Sequence, residues 1–147
     1  MSTQVNQTPL AKTASSNRQA GFPIVGIGAS AGGLETLQLF FSRMPSDANI
    51  AFVIIQHLSP NFKSIMASLL AKHTRMTVRE IEDGMTLAKN CVYLNPPNNN
   101  VAIFNRTLHL MVPVKSSAIN MPIDFFFRSL SEDQKEKAIG IIVSGTA

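Results

Sequence analysis

The segment IVGIGASAGG, residues 24–33, constrains the fold most, because an apolar run enters a glycine-rich turn and a helical pattern begins directly after it. Ile24, Val25 and Ile27 form the kind of short apolar run that is buried on both faces of a sheet. Apolar residues then recur at helical spacing up to Pro45, namely Leu34, Leu37, Phe40, Phe41 and Met44. A buried strand that leads into an amphipathic helix is typical of a parallel βαβ unit.

The rest of the chain repeats this alternation. The predicted strands are NIAFVIIQH, TVREI, CVYLNPP, the hairpin VAIFN and TLHLMVP, and finally KAIGIIVSG. The predicted helices cover Phe62 to Lys72 and PIDFFFRSLSEDQ, in which Pro122 suits a helix start. Buried strands that alternate with amphipathic helices predict an α/β fold, doubly wound, with a mostly parallel sheet and helices on both faces.

The predicted domain organisation is a polar leader followed by one domain. Residues 1–21 are rich in Ser, Thr, Gln and Asn, which predicts a disordered leader or linker, and residues 22–147 form the domain. A covering helix normally follows the last strand of a parallel sheet. Because the last predicted strand enters its glycine turn at Gly145 and the sequence stops at Ala147, we expect an incomplete domain with a truncated C-terminus.

Composition argues against several classes of function. The net charge is +4, but the basic residues are scattered among acidic ones, Trp is absent and Tyr occurs once, so nucleic-acid binding is not expected. The single cysteine, Cys91, excludes an internal disulfide and favours the cytoplasm, and its apolar surroundings predict a small buried side chain. No apolar run reaches the length of about 18 residues that a membrane helix needs, so membrane insertion is not expected.

The glycine turn has two chemical interpretations. Gly26-x-Gly28-x-x-Ala31 matches the fingerprint of a dinucleotide site, whereas residues 28–32, GASAG, match the G-x-S-x-G turn that exposes a nucleophilic serine. A dinucleotide site also needs a carboxylate at the end of the second strand, and here that strand ends in Gln56-His57. The sequence therefore favours a catalytic serine, Ser30, and predicts no bound cofactor.

His57 strengthens the serine interpretation, because a serine hydroxyl needs a base within hydrogen-bond reach. If the first two strands run parallel, Ser30 and His57 lie at the same edge of the sheet. The alternatives are that Ser30 only caps the helix and that His57 is a loop histidine. His73 and His109 are expected to be structural, and no Cys, His, Asp or Glu cluster has the spacing of metal ligands, so no metal is predicted.

Five ordered segments of the chain resemble the chemotaxis protein-glutamate methylesterases of the CheB type. They are VGIGASAGGLETL, FVIIQHLSPNFKSIMASLLAKHT, DGMTLAKNCVYLNPPNNN, IDFFFRSLSED and GIIVSGT. The resemblance covers residues 22–147 and implies a doubly wound, Rossmann-like serine hydrolase that demethylates glutamyl residues, and deamidates glutamines, on the cytoplasmic helices of chemoreceptors. By position, Ser30 matches the family's nucleophile and His57 its general base.

Two departures from the family pattern affect the expected function. The family's triad acid lies in a turn of the form S/T-G-x-G-x-D-G, whereas this sequence reads Ser144-Gly145-Thr146-Ala147 and stops two positions short of the aspartate. We therefore expect the isolated chain to be a weak esterase at best, and a non-catalytic receptor-binding or scaffold module is the alternative. The family usually carries an N-terminal phosphoacceptor domain, and residues 1–21, which read as a polar leader only, are not expected to belong to one. In this the chain is similar to esterase modules fused ahead of a receptor methyltransferase, which implies a fused or partner methyltransferase.

Overall fold

The computed structural model describes residues 21–30, 32–57, 65–114 and 120–144. Most of the predicted leader and the predicted turn at Gly145 lie outside these ranges. The elements are β1 (Ile24–Ala29), α1 (Leu34–Arg43), β2 (Ala51–Gln56), α2 (Met66–Ala71), β3 (Thr77–Glu80), β4 (Met85–Thr86), β5 (Cys91–Leu94), β6 (Asn100–Phe104), β7 (Thr107–Met111), α3 (Pro122–Gln134), a short 3-10 turn (Lys135–Lys137) and β8 (Ile139–Val143).

The central sheet has five parallel strands in the order β3-β5-β2-β1-β8. From β1 the chain first builds outward through β2, and it later returns to add β8 on the opposite side of β1. The direction of winding therefore reverses at β1. In open α/β sheets, the crevice at the carboxyl ends of the strands beside such a reversal is where ligands bind.

Apolar residues on the two faces of the sheet belong to separate cores, because successive residues of a strand point to opposite sides. Val25 and Ile27 of β1 belong to the core that includes Leu37 and Phe41 of α1 and Leu70 of α2. The opposite core contains Ile24, Val53 and Ile55 of the central sheet. These residues pack with Phe126 and Leu130 of α3 and with Val101, Ile103 and Leu108 of the small second sheet. The predicted doubly wound fold, with helices on both faces of a parallel sheet, is confirmed.

Gly26 and Gly28 allow α3 to lie directly on β1. A Cβ atom at Gly26 would lie 2.9 Å from Leu130, and one at Gly28 would lie 2.6 Å from Ile123. Both glycines are inside the strand, and the space next to them is filled by side chains of the protein. The two glycines that suggested a dinucleotide site thus serve the packing of a helix on a strand.

The predicted hairpin is present, in a second, antiparallel sheet of order β4-β7-β6. Its turn holds Asn105 and Arg106 at φ values of 47° and 60°, the left-handed conformations of a two-residue hairpin turn. The Asp133 carboxylate on α3 accepts hydrogen bonds from the backbone N–H groups of Asn105 at 2.6 Å and of Arg106 at 3.2 Å. The Arg106 guanidinium also stacks on Phe22, with its Cζ 4.1 Å from the centre of the ring.

Two local expectations need correction or restriction. Cys91 is only partly buried rather than enclosed, because it is the first residue of β5 at the amino edge of the sheet. The second predicted helix begins later than expected, with α2 at Met66, and residues 58–64 lie outside the described ranges. Strand β4 was not predicted. Within the described ranges, no helix combines the length and the apolar character needed to cross a membrane.

Candidate active site

Ser30 is the first residue after β1, and β1 is the strand that lies between β2 and β8. It is half-buried. Its backbone N–H donates to the carbonyl oxygen of Val143 at 3.3 Å, and its own carbonyl accepts a hydrogen bond from the N–H of Gly33 at 2.9 Å. The serine is therefore held on two sides, by the end of β8 and by the turn that leads into α1.

Gly33, and not Ser30, is the N-cap of α1. A Cβ atom at Gly33 would lie 3.2 Å from the carbonyl oxygen of Ser30, so the lack of a side chain lets the turn close tightly. No side chain caps this end of the helix in the structure. The interpretation of Ser30 as a simple helix cap is therefore not supported, and the positive end of the α1 dipole lies within a few residues of the serine.

His57 is the first residue after β2, and it is exposed. The parallel ladder between β1 and β2 runs in register from Ile24 opposite Ala51 to Ala29 opposite Gln56. Ser30 and His57 consequently follow two neighbouring strands at the same level of the same edge. The expectation that the first two strands run parallel, on which the pairing of these residues depended, is confirmed.

Strand β8 ends at this level too. Val143 is the register partner of Ala29, so Ser144 follows β8 at the same edge, on the side of Ser30 opposite to His57. Ser144 opens the turn in which the resemblance expects the triad acid. Residues 145–147 lie outside the described part of the chain.

Asn95 is a residue of this edge that the sequence did not single out. It follows β5, and its side chain hydrogen-bonds both backbone groups of Gln56, the residue before His57. Gln56 and Asn95 are the buried polar residues of the described ranges, each 4% exposed. The sequence signal that was available is a polar residue between a buried strand and two prolines, which by itself indicates only a turn.

The two other histidines lie elsewhere. His73 follows α2, and its backbone N–H donates to the backbone carbonyl of Leu70 at 2.9 Å. His109 is in β7, where its Nδ1 is 3.8 Å from a carboxylate oxygen of Asp83. Neither follows β1 or β2. Among the described residues, no three His, Cys, Asp or Glu side chains are grouped as metal ligands would be.

Tyr93 has the one clearly shifted pKa among the described groups. Burial raises the pKa of its phenol above the ordinary value of 10.0, while the hydrogen bond that the Ala88 N–H donates to its oxygen at 2.8 Å acts in the opposite direction. Tyr93 lies in β5, two residues before Asn95. It belongs to the core beneath α3 and not to the edge that carries Ser30.

A serine, a histidine and the amino end of a helix thus lie at one edge of the sheet, beside its topological reversal. This combination suits acyl transfer, in which an imidazole accepts the hydroxyl proton and backbone N–H groups stabilise the oxyanion. The same turn occurs at nucleophilic serines that stand above the carboxyl edge of an α/β sheet.

Comparison with known proteins identifies the family of the chain. Residues 25–147 match the family model of the CheB methylesterase. A relative from Xanthomonas oryzae pv. oryzae is named protein-glutamate methylesterase/protein-glutamine glutaminase 2. It is 33% identical over 126 residues, and the match covers 83% of this chain and 35% of the relative. A relative from Bacillus subtilis, named for the same activities, is 29% identical over 129 residues, and the match covers 85% of this chain and 36% of that relative. The chain therefore spans about a third of the length of these curated relatives.

A solved structure shares the fold. The crystal structure of the Thermotoga maritima CheB methylesterase catalytic domain matches with a TM-score of 0.74 and 28% sequence identity, over 86% of this chain and 69% of that one. The family match covers most of the chain, the two curated relatives are 33% and 29% identical to it over the matched residues, and the solved structure has the same fold. The chain belongs to the CheB methylesterase family.

Proposed function

We propose that this chain carries the nucleophile and the general base of a protein-glutamate methylesterase. The observation that supports this most directly is the register of β1 and β2, in which Ala29 pairs with Gln56. It brings Ser30 and His57 to neighbouring positions on one edge. The names of the relatives support the reaction, since both are called protein-glutamate methylesterases and protein-glutamine glutaminases.

In the proposed reaction, Ser30 Oγ attacks the ester carbonyl of a methylated glutamyl side chain while the His57 imidazole accepts the hydroxyl proton. The tetrahedral oxyanion collapses, the bond to the methoxy group breaks, and the imidazolium returns its proton to release methanol. A water molecule, deprotonated by His57, then attacks the acyl-enzyme and regenerates Ser30 with a free glutamate. A glutamine would follow the same course, with ammonia as the leaving group.

The substrate in this proposal is a chemoreceptor, with its methylated glutamyl residues on cytoplasmic helices. Such an ester has to be formed by a receptor methyltransferase, which acts as a fused or separate partner. The exposed position of His57 and the half-buried position of Ser30 are compatible with a macromolecular substrate that approaches the edge of the sheet from outside.

The triad acid in this proposal belongs to the turn that follows β8. The alignment of Val143 with Ala29 supports this, because it brings Ser144 to the edge that carries Ser30. A carboxylate there would fix the tautomer of His57 and stabilise its imidazolium. In the serine-protease triad, loss of that function lowers turnover by about 10⁴-fold.

Covalent labelling with a fluorophosphonate tests the proposed nucleophile. Ser30 Oγ would attack phosphorus, fluoride would leave and His57 would accept the proton, so excess probe should give one adduct on Ser30, located by mass spectrometry. Ser30→Ala should abolish the adduct, whereas Ser144→Ala, which removes a hydroxyl from the end of the neighbouring strand, should retain it. Absence of an adduct on Ser30 would favour the non-catalytic receptor-binding module instead.

A further inference from the structure

The carboxyl end of β2 extends beyond its partner strand β5. The last register pair of this ladder is Ile54 with Leu94, which is also the last residue of β5. Two further residues of β2, Ile55 and Gln56, therefore continue without a strand beside them on that side. Both are buried, so the backbone groups of Gln56 that face β5 need a hydrogen-bond partner other than water.

The side chain of Asn95 supplies that partner. Its Oδ1 accepts a hydrogen bond from the Gln56 N–H at 2.9 Å, and its Nδ2 donates to the Gln56 carbonyl oxygen at 2.9 Å. The backbone N–H of Asn95 also donates to the carbonyl of Ile54 at 3.2 Å. One primary amide thus completes the ladder in place of a strand residue.

This pair of hydrogen bonds fixes the peptide group from which His57 extends. The carbonyl that Asn95 holds belongs to the same planar unit as the backbone N–H of His57, so its orientation sets the direction in which His57 leaves the sheet. On the other side, the pairing of Gln56 with Ala29 aligns β2 with the strand that carries Ser30. His57 itself is exposed.

We infer that Asn95 is a positioning residue for the general base, because its side-chain amide fixes the Gln56 peptide and thereby aims His57 at Ser30. This inference rests on the proposed function of Ser30 and His57. Neither hydrogen bond touches the reacting atoms, so the expected effect of Asn95 is on the rate of the proton transfer that His57 performs.

The test compares Asn95→Ala with a matched control at the opposite end of the same strand. Asn90 precedes β5, and its Oδ1 accepts a hydrogen bond from the backbone N–H of Asn49 at 2.7 Å. Asn90 has a φ of 61°, so Asn90→Gly removes this bond without straining the backbone. The five residue steps from Asn90 to Asn95 separate the control from the active edge by roughly 16 Å.

Two quantities are measured in the 147-residue chain: the rate of fluorophosphonate labelling at Ser30, and the NMR signals of the histidine rings. Asn95→Ala should slow labelling at least about 10-fold, since small misplacements of a catalytic group have effects of this size. It should also shift or broaden the ring signals of His57 and leave those of His73 unchanged. Asn90→Gly should leave both quantities unchanged, even where it lowers stability.

Each outcome supports or overturns either the role of Asn95 or the proposed function. Labelling of Asn95→Ala within twofold of the unsubstituted chain, or unchanged His57 signals, would overturn the inference while the proposed nucleophile stands. If the unsubstituted chain gives no adduct on Ser30, the proposed function fails and the His57 signals alone decide whether Asn95 positions that ring. Should Asn95→Ala fail to fold by circular dichroism, Asn95→Ser provides the same comparison, because its shorter hydroxyl cannot reach both groups of Gln56.

Discussion

Ala29 lies directly opposite Gln56 in the parallel ladder of β1 and β2, and the residue that follows each of them is a candidate catalytic group. A shift of the register by one residue would move His57 by about 3.3 Å along the strand and separate it from Ser30. It would also exchange the faces of Phe52 and Val53, which belong to different cores. The packing of the two cores therefore fixes the geometry of the site.

Replacement of His57 by alanine should slow fluorophosphonate labelling of Ser30 by about 10²-fold or more, the usual contribution of a general base. His73→Ala is the matched control, because His73 is also exposed but follows α2 and not β2. Its labelling rate should equal that of the unsubstituted chain. Equal rates for both variants would show that His57 does not act as the base.

Gly28→Ala should lower the free energy of unfolding by about 1–3 kcal/mol, the range for overpacking in a core. The new methyl group would meet Ile123 of α3 and Ile142 of β8, at 2.6 and 2.9 Å. Gly140 is exposed, and the nearest atom to a methyl group there is on the ring of Phe127, at 3.3 Å. Gly140→Ala should therefore change the free energy of unfolding by no more than about 0.5 kcal/mol. Denaturant unfolding measures both, and equal losses would contradict the packing role of Gly28.

Asp133→Ala should destabilise the chain by about 1–2 kcal/mol, since two backbone hydrogen bonds to a partly exposed carboxylate are lost. The left-handed turn of the hairpin would then lack the acceptor that holds it to α3. Glu132→Ala removes a neighbouring carboxylate at an exposed position and should change the midpoint of thermal unfolding little. A similar loss in both variants would point to net charge rather than to the turn.

Tyr93 should make folding sensitive to alkali. Because burial raises the pKa of this phenol in the folded state, the contribution of the neutral ring to stability is complete below the unfolded pKa of 10.0 and is lost as the pH rises above it. Tyr93 is the one tyrosine of the chain, so its ionisation can be followed directly by ultraviolet absorbance.

Tyr93→Phe is the control for this pH dependence. It removes the ionisable group together with the hydrogen bond from Ala88, so the variant should be less stable at neutral pH but should lose less stability above pH 10. Parallel stability curves for the two proteins between pH 8 and pH 11 would contradict the role of Tyr93.

Local sequence patterns predicted the elements whose signals are contained in a few neighbouring residues. The apolar runs of β1 and β2 end where expected, and α3 begins at Pro122 because proline is well suited to the first turn of a helix. Ser30 and His57 could be proposed because each directly follows such a run.

Other features depend on contacts between distant segments, and no local pattern announces them. Strand β4 has two residues and exists through its pairing with β7. The role of Asn95 depends on β2 being longer than β5 at their common edge, a property of register and not of composition. The half-exposure of Cys91 likewise follows from its position at the start of a strand.

The close packing of α3 on β1 has an evolutionary consequence. Since the space above Gly28 is filled by Ile123, a relative with a larger residue at position 28 needs a smaller one at position 123, and the two positions should covary. The same steric demand accounts for the G-x-G spacing of this strand through the packing of α3. A G-x-G spacing in such a strand is therefore not by itself evidence of a nucleotide site, because the packing of a helix on the strand is sufficient to require it.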